Sequence, residues 1–213
     1  MKMSTKGTVG GIDEAGRGPI FGPMVVAGVL ADGEKISKLG LRDSKKCTKT
    51  RRERLFGEIW EVASCIEVMK IDAKRIDELR NNGKNLNVIE KECFCEIIKR
   101  LDGEVVYIDG LVGDFSSKIK SSFDKQLIIE FKADEKYPIV SAASIIAKVE
   151  RDREVERIAE ELEKKIDLPL GSGYPSDRRT IDFIEEWVKR YRSLPPHVRR
   201  SWKPAGRFLN ERI

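Results

Sequence analysis

The 213-residue chain has one histidine, His197, and one glutamine, Gln126. A metal centre built on several imidazoles is therefore out of reach. Its four cysteines, Cys47, Cys65, Cys93 and Cys95, show no paired-ligand spacing. Cys93 and Cys95 fall two apart on a predicted helix, where side chains point to nearly opposite faces, which excludes a shared metal between them. Free thiols in a reducing compartment are the expectation. No apolar run approaches the ~20 residues that cross a bilayer. The stretch Met1 to Gly7 has none of the apolar character of a signal peptide. No membrane association and a cytoplasmic location are expected. Internal repeats and low-complexity segments are also missing.

What is present is a highly charged composition, with 40% hydrophobic and 36% charged residues and a formal net charge of +5. The length suits one medium domain with a continuous core. Basic residues crowd two stretches, from Arg42 to Arg54 and from Lys189 to Arg212, whereas Glu150 to Glu163 is rich in acids. Charge runs are usually solvated faces. Two of them beside an acidic motif point to a phosphate-bearing polymer.

Apolar runs predict strands over Thr8 to Asp13, Met24 to Leu30, Cys65 to Ile71, Val105 to Asp109 and Leu127 to Phe131. Thr48 is placed to cap a helix whose Leu55, Ile59, Val62 and Ala63 form one stripe. Further helices are expected at Ile76 to Leu79, Leu86 to Leu101, Phe115 to Phe123, Ser141 to about Glu163, and around Ile181 to Val188. The C-terminal stretch, with Pro195, Pro196 and Pro204, is expected to be helical only in pieces. A mixed sheet covered by helices follows, in the α/β class. The domain reading is one domain over 1–213, with a catalytic core over 8–165 and a helical C-terminal extension over 166–213 packed on it.

Asp13, Asp109 and Asp134 each follow an apolar run, and Glu14 adjoins the first. Strand ends in α/β sheets are where ligands bind. Any one of these acids, taken alone, is as readily a turn or helix cap. Gathered together they repel one another unless a cation intervenes, and an all-oxygen donor set selects Mg²⁺ or Mn²⁺. Such a site suits phosphoryl chemistry with two ions.

Five blocks then stand in order: GIDEAGRGPIFGPMVVAGV from Gly11, DSKK from Asp43, YIDG from Tyr107, KADEKYPIVSAASIIAKVERD from Lys132 and GSGYPSD from Gly171. Together they resemble ribonuclease HII, the type 2 ribonuclease H, in its archaeal form, and HVRRSW at His197 extends the likeness into the tail. The resemblance implies a ribonuclease H-like fold, a five-stranded mixed sheet flanked by helices with a helical C-terminal extension. It implies an endoribonuclease that hydrolyses the RNA strand of RNA–DNA hybrids. It also implies cutting 5′ of single ribonucleotides in duplex DNA, leaving 5′-phosphate and 3′-hydroxyl ends, in primer removal and ribonucleotide excision.

Carried onto this chain, the resemblance makes Asp13, Glu14, Asp109 and Asp134 catalytic ligands of two divalent ions, Mg²⁺ or Mn²⁺. It makes Gly16, Arg17 and Gly18 a turn that reads the 2′-hydroxyl, the group that distinguishes RNA from DNA. Tyr174 is implied to stack on the following sugar and Lys45 to lie near the scissile region. Ser141, Ser144 and Lys148 share one helix face, suited to phosphate contacts or to ordinary surface polarity. His197 is given no catalytic role. The implied partners are RNA–DNA hybrid and ribonucleotide-containing DNA, with the chain acting as a monomer. A sliding clamp is a possible further partner, although AGRFLNERI lacks the glutamine and aromatic pair usual for one. Two alternatives stay open: a ribonuclease HIII-like hybrid nuclease, which would lack Arg17 and carry an N-terminal binding domain, and a non-catalytic hybrid-binding module.

Overall fold

Thr8–Ala15 (β1) and Met24–Asp32 (β2) pair antiparallel, with Asp13 opposite Ala27. Nearly every residue of β2 is buried, as its Val- and Ala-rich sequence requires of a strand covered on both faces. Ala63–Ile71 (β3), Val105–Asp109 (β4) and Gln126–Glu130 (β5) complete a five-stranded sheet in the order β3-β2-β1-β4-β5. β4 runs parallel to both β1 and β5, so the sheet is mixed, as the resemblance implies. The computed structural model describes residues 7–41, 48–110, 119 and 121–210. Of the helix expected over Phe115 to Phe123, residues 115–118 and 120 fall outside them, Ile119 is helical and Ser121 to Phe123 form a turn and bend; Lys45 also lies outside.

Helices are Gly33–Lys38 (α1), Lys49–Val62 (α2), Ala73–Asn81 (α3), Leu86–Arg100 (α4), Ala133–Lys136 (α5), Pro138–Ile166 (α6), Arg178–Tyr191 (α7) and Lys203–Asn210 (α8). Thr48 caps α2 as expected, accepting from the Arg51 N–H at 3.3 Å. α1 was not foreseen, and its cap explains it: Asp32 accepts from Glu34 N and Lys35 N at 3.0 and 2.9 Å. α8 carries Pro204 in its first turn, where a missing N–H costs nothing.

The described residues divide into two compact units. One draws on Met1–Ala15, Val25–Met69 and Glu90–Val149, the other on Gly16–Met24, Lys70–Ile89 and Glu150–Ile213. In the first, Val9, Val25, Ala27, Val29 and Tyr107 of the sheet bury against Ile139, Ala142, Ile145, Ile146 and Val149 of α6. Gly11 makes this possible, because a Cβ there would sit 2.3 Å from the Ile139 carbonyl oxygen. In the second, Val155, Ile158 and Leu162 of α6 meet Phe183, Ile184, Trp187 and Val188 of α7, with Phe21 edge-on to Phe183 at 5.9 Å.

The polar side of that second core carries a chain of ion pairs. Lys70 reaches Glu150 at 2.8 Å and Glu154 at 3.0 Å. Arg157 joins Glu154 to Glu161 at 3.1 and 3.9 Å, and His197 meets Glu161 at 3.3 Å.

Candidate active site

β1, β4 and β5 run parallel through the pairs Ile12–Ile108 and Asp109–Glu130, so their carboxyl ends emerge on one side of the sheet. Asp13 and Asp109 are the acids at those ends. Asp134 arrives differently: Lys132 turns through a left-handed conformation, φ 57°, and places it in the short helix α5 rather than at a strand tip. Carboxylate oxygens of Asp13, Asp109 and Asp134 lie within 4.8 Å of one another. Asp13 and Asp134 are buried and Asp109 half-buried. Glu14, half-buried, adjoins Asp13 at the end of β1 and is not one of this group of three.

Crowding shows in the acid–base properties. Burial, reinforced by Asp109, pushes the Asp13 carboxyl up to about 7, against the opposing pull of Ser144, Lys148 and the Glu14 N–H, which donates to Asp13 Oδ1 at 2.8 Å. Asp109 is also raised, by burial and then by its neighbour Asp134. Carboxylates this close and this dry cannot all ionise alone. An all-oxygen set under such repulsion fits a hard divalent cation, whose charge returns the acids to their ionised form.

The helix face Ser141, Ser144 and Lys148 turns inward rather than to solvent. Both serines are fully buried. The Ser141 hydroxyl sits 2.8 Å from the Asp134 carbonyl oxygen and 3.0 Å from that of Leu41, so it braces α5 against α6 and does not reach a phosphate. The reason is packing: the first turns of α6 lie against the sheet and have no solvent side at these positions. Ser144 hydrogen-bonds Asp13 and accepts from Lys148 Nζ at 2.6 Å, which links the half-buried lysine to the acids.

The Gly-Arg-Gly turn belongs to the second unit. Gly16 adopts φ +86°, and a Cβ there would stand 2.5 Å from the Pro23 carbonyl oxygen, so only glycine fits. Arg17 donates from Nη2 to Asn87 Oδ1 at 2.7 Å. Gly18 is exposed, with the Tyr174 ring 3.5 Å from where a Cβ would lie. Tyr174 itself is exposed on one side and lies over the Arg151 guanidinium at 5.1 Å. Its loop is tied to the turn, because the Gly173 carbonyl accepts from Ile20 N and Phe21 N at 2.8 and 3.2 Å. Asp177 closes the loop from below by accepting from Ser172 N at 2.8 Å, and its fork to Arg179 holds it well below the usual carboxylate range.

Two functional candidates escaped the sequence reading. Arg151 is buried and donates to the Ser172 carbonyl at 2.8 Å, and Arg199 is wholly buried among carbonyl oxygens of the turn. The only sequence signal for Arg199 was its place in the HVRRSW block.

A mixed five-stranded sheet bearing buried carboxylates at the ends of its parallel strands defines a metal-dependent nuclease of the ribonuclease H-like fold. The family model for ribonuclease HII matches residues 10–205. Ribonuclease HII of Archaeoglobus fulgidus is 45% identical over 207 residues, 95% of this chain and 97% of that one. The crystal structure of ribonuclease H2 from Pyrococcus horikoshii superposes with a TM-score of 0.85 at 40% identity, covering 96% of this chain and 98% of the other. Ribonuclease HII of Archaeoglobus fulgidus in its complex with PCNA gives 0.83 at 44% identity, over 92% of this chain and 95% of that one. The chain belongs to the ribonuclease HII family. It is a metal-dependent endonuclease with ribonuclease H activity on RNA–DNA hybrids. The family match decides between the two ribonucleases of this fold and against a pure binding module. No helix among the described residues is long and apolar enough to cross a membrane.

Proposed function

We propose that this enzyme cuts on the 5′ side of ribonucleotides, both in continuous hybrids and singly embedded in duplex DNA, with two divalent ions. The observation that carries the reading is the convergence of Asp13, Asp109 and Asp134 within 4.8 Å. Ions held there would supply activation of water and stabilisation of the leaving oxygen. Water adds to phosphorus and the bond to O3′ breaks, leaving 5′-phosphate and 3′-hydroxyl ends. Asp13, Asp109 and Asp134 would hold the ions, with the adjacent Glu14 assigned as the fourth acid. Mg²⁺ and Mn²⁺ both suit these oxygens. Ser144 and Lys148 orient Asp13 and favour its ionised form.

Sugar recognition is assigned to Gly16, Arg17 and Gly18, whose glycines let the backbone approach a 2′-hydroxyl closely. Tyr174, exposed beside Gly18, is the aromatic surface for the next sugar. Lys45 remains assigned to the scissile region, although it lies outside the described residues. We read the chain as a cytoplasmic monomer with a core over 8–165 and an extension over 166–213, acting in primer removal and ribonucleotide excision. The relative solved with PCNA supports a sliding clamp as its partner, through a tail sequence that departs from the usual motif.

The test is an end-labelled DNA duplex containing one ribonucleotide, incubated with Mg²⁺ and with EDTA. A Mg²⁺-dependent cut that leaves the ribonucleotide on the 5′ end of the downstream fragment is expected. Cleavage of a continuous hybrid without that cut would remove the junction reading and the roles given to Arg17 and Tyr174.

A further inference from the structure

Arg199 is a charged side chain with no solvent exposure. Its guanidinium makes three hydrogen bonds, all to backbone carbonyls: Nε to Gly22 at 3.0 Å, Nη1 to Arg17 at 3.0 Å and Nη2 to Gly16 at 2.6 Å. Its own N–H donates to the Ile20 carbonyl at 2.9 Å, which anchors the arginine to the same segment. Burying a guanidinium with no carboxylate hydrogen-bonded to it is expensive, and burial lowers its pKa to about 10, with Arg151 adding to the effect and Tyr174 and Asp77 opposing it. An arrangement so costly calls for a return that structure alone does not demand.

That return is peptide orientation. A trans peptide is planar, so the C=O of one residue and the N–H of the next point in opposite directions. A guanidinium that gathers the Gly16 and Arg17 carbonyls therefore directs the N–H groups of Arg17 and Gly18 away from itself. Gly18 is exposed, so the outward amides face the side from which a ligand comes. Successive N–H groups presented this way donate to an electronegative oxygen. The fork of arginine suits this task, because its Nε, Nη1 and Nη2 donors reach three separate carbonyls at once, where an ammonium group is a single point donor.

We propose that Arg199 is the positioning residue of the Gly-Arg-Gly turn: by holding its carbonyls inward, it aims the Arg17 and Gly18 amides at a ribose 2′-hydroxyl and so sets the preference for ribonucleotide over deoxyribonucleotide. The inference rests on the turn's role in sugar recognition. Arg199 touches no substrate and acts through the backbone alone. Tyr174 and Arg151 frame the same turn from the side, which leaves Arg199 as the group that fixes its peptide planes.

The experiment pairs two variants with one measurement on the unaltered protein. In the full-length chain, Arg199→Lys keeps the charge and loses the fork. It is expected to melt cooperatively and to bind Mn²⁺ with unchanged affinity. Its binding preference for a duplex with one ribonucleotide over the all-DNA duplex should fall by about 10²-fold, the scale of a small misplacement of a recognition group. Addition of guanidinium to Arg199→Ala should restore part of that preference. A folded Arg199→Lys enzyme that keeps its full preference overturns the inference.

Should both variants fail to fold, amide NMR on the unaltered chain decides. The Gly18 N–H should shift and gain exchange protection on adding the ribonucleotide duplex but not the all-DNA duplex, while the Arg199 guanidinium protons stay protected throughout. Equal Gly18 responses to both duplexes overturn the inference by removing the sugar-recognition reading beneath it. A selective Gly18 response with freely exchanging Arg199 protons leaves that reading standing and overturns the positioning role alone.

Discussion

Asp77 accepts from the N–H groups of Arg200 and Ser201 at 2.7 and 2.9 Å and from the Ser201 hydroxyl at 2.6 Å. One carboxylate on α3 thus fastens the backbone immediately after Arg199. Hydrogen bonds to a charged acceptor contribute up to about 1.5–3 kcal/mol each net of exchange with water, and less where the groups are partly exposed. Asp77→Ala is expected to lower the unfolding free energy by about 1–3 kcal/mol. It should also weaken ribonucleotide preference in the same direction as the Arg199 variants, but less. Thermal unfolding and paired binding assays check both effects.

Asp13→Asn keeps the size of the side chain and removes its charge from the acid cluster. Cleavage should fall by at least about 10³-fold, since the metal contribution to phosphoryl transfer amounts to several kcal/mol. Hybrid binding should survive, because the recognition turn is untouched. A gel-shift assay beside a cleavage time course separates the two.

The raised Asp13 carboxyl gives metal binding a proton dependence. The folded carboxyl titrates at about 7 against an ordinary value of 3.8. The group therefore binds more protons in the folded state between those values. In chelated protein its contribution to stability is fully present below pH 3.8 and is lost as the pH rises through about 7. A divalent ion must displace that proton, so Mg²⁺ affinity should rise from pH 6 to pH 8, with proton release. Titration calorimetry in two buffers of different ionisation enthalpy measures the release. Observed heats that are the same in both buffers at pH 6 would refute it.

Cys93 and Cys95 share α4 but not an environment. Burial, then the neighbouring Glu92 and Glu90, pushes the Cys93 thiol up to about 11, whereas Cys95 is half-exposed and raised less. Iodoacetamide at neutral pH should label Cys95 well before Cys93, since the thiolate is the reactive form. Peptide mass mapping over time gives the order.

Much of the fold could be read from local pattern because its determinants are local. Thr48 caps α2 from one residue away, and the apolar runs of β1, β2 and β4 end where their acids stand. Asp134 was legible as a ligand candidate but not as a helical one, since the turn at Lys132 requires a left-handed residue that no glycine announces. Ser141 and Ser144 looked like a polar stripe and proved to be buried, because periodicity reports which residues share a face and not what that face meets. Arg199 was beyond reach for another reason. Its acceptors lie 177 to 183 residues earlier in the chain, and a tail rich in arginine gives no sign which one turns inward.

The ion pairs that run from Lys70 through Glu154 and Arg157 to Glu161 gain relative weight as temperature rises. Their cost is desolvation, and that cost shrinks on heating because hydration of charge becomes less favourable. Linked pairs also share the entropy of ordering each side chain. The second unit thus carries surface contacts whose relative worth grows as the solvent gets hotter.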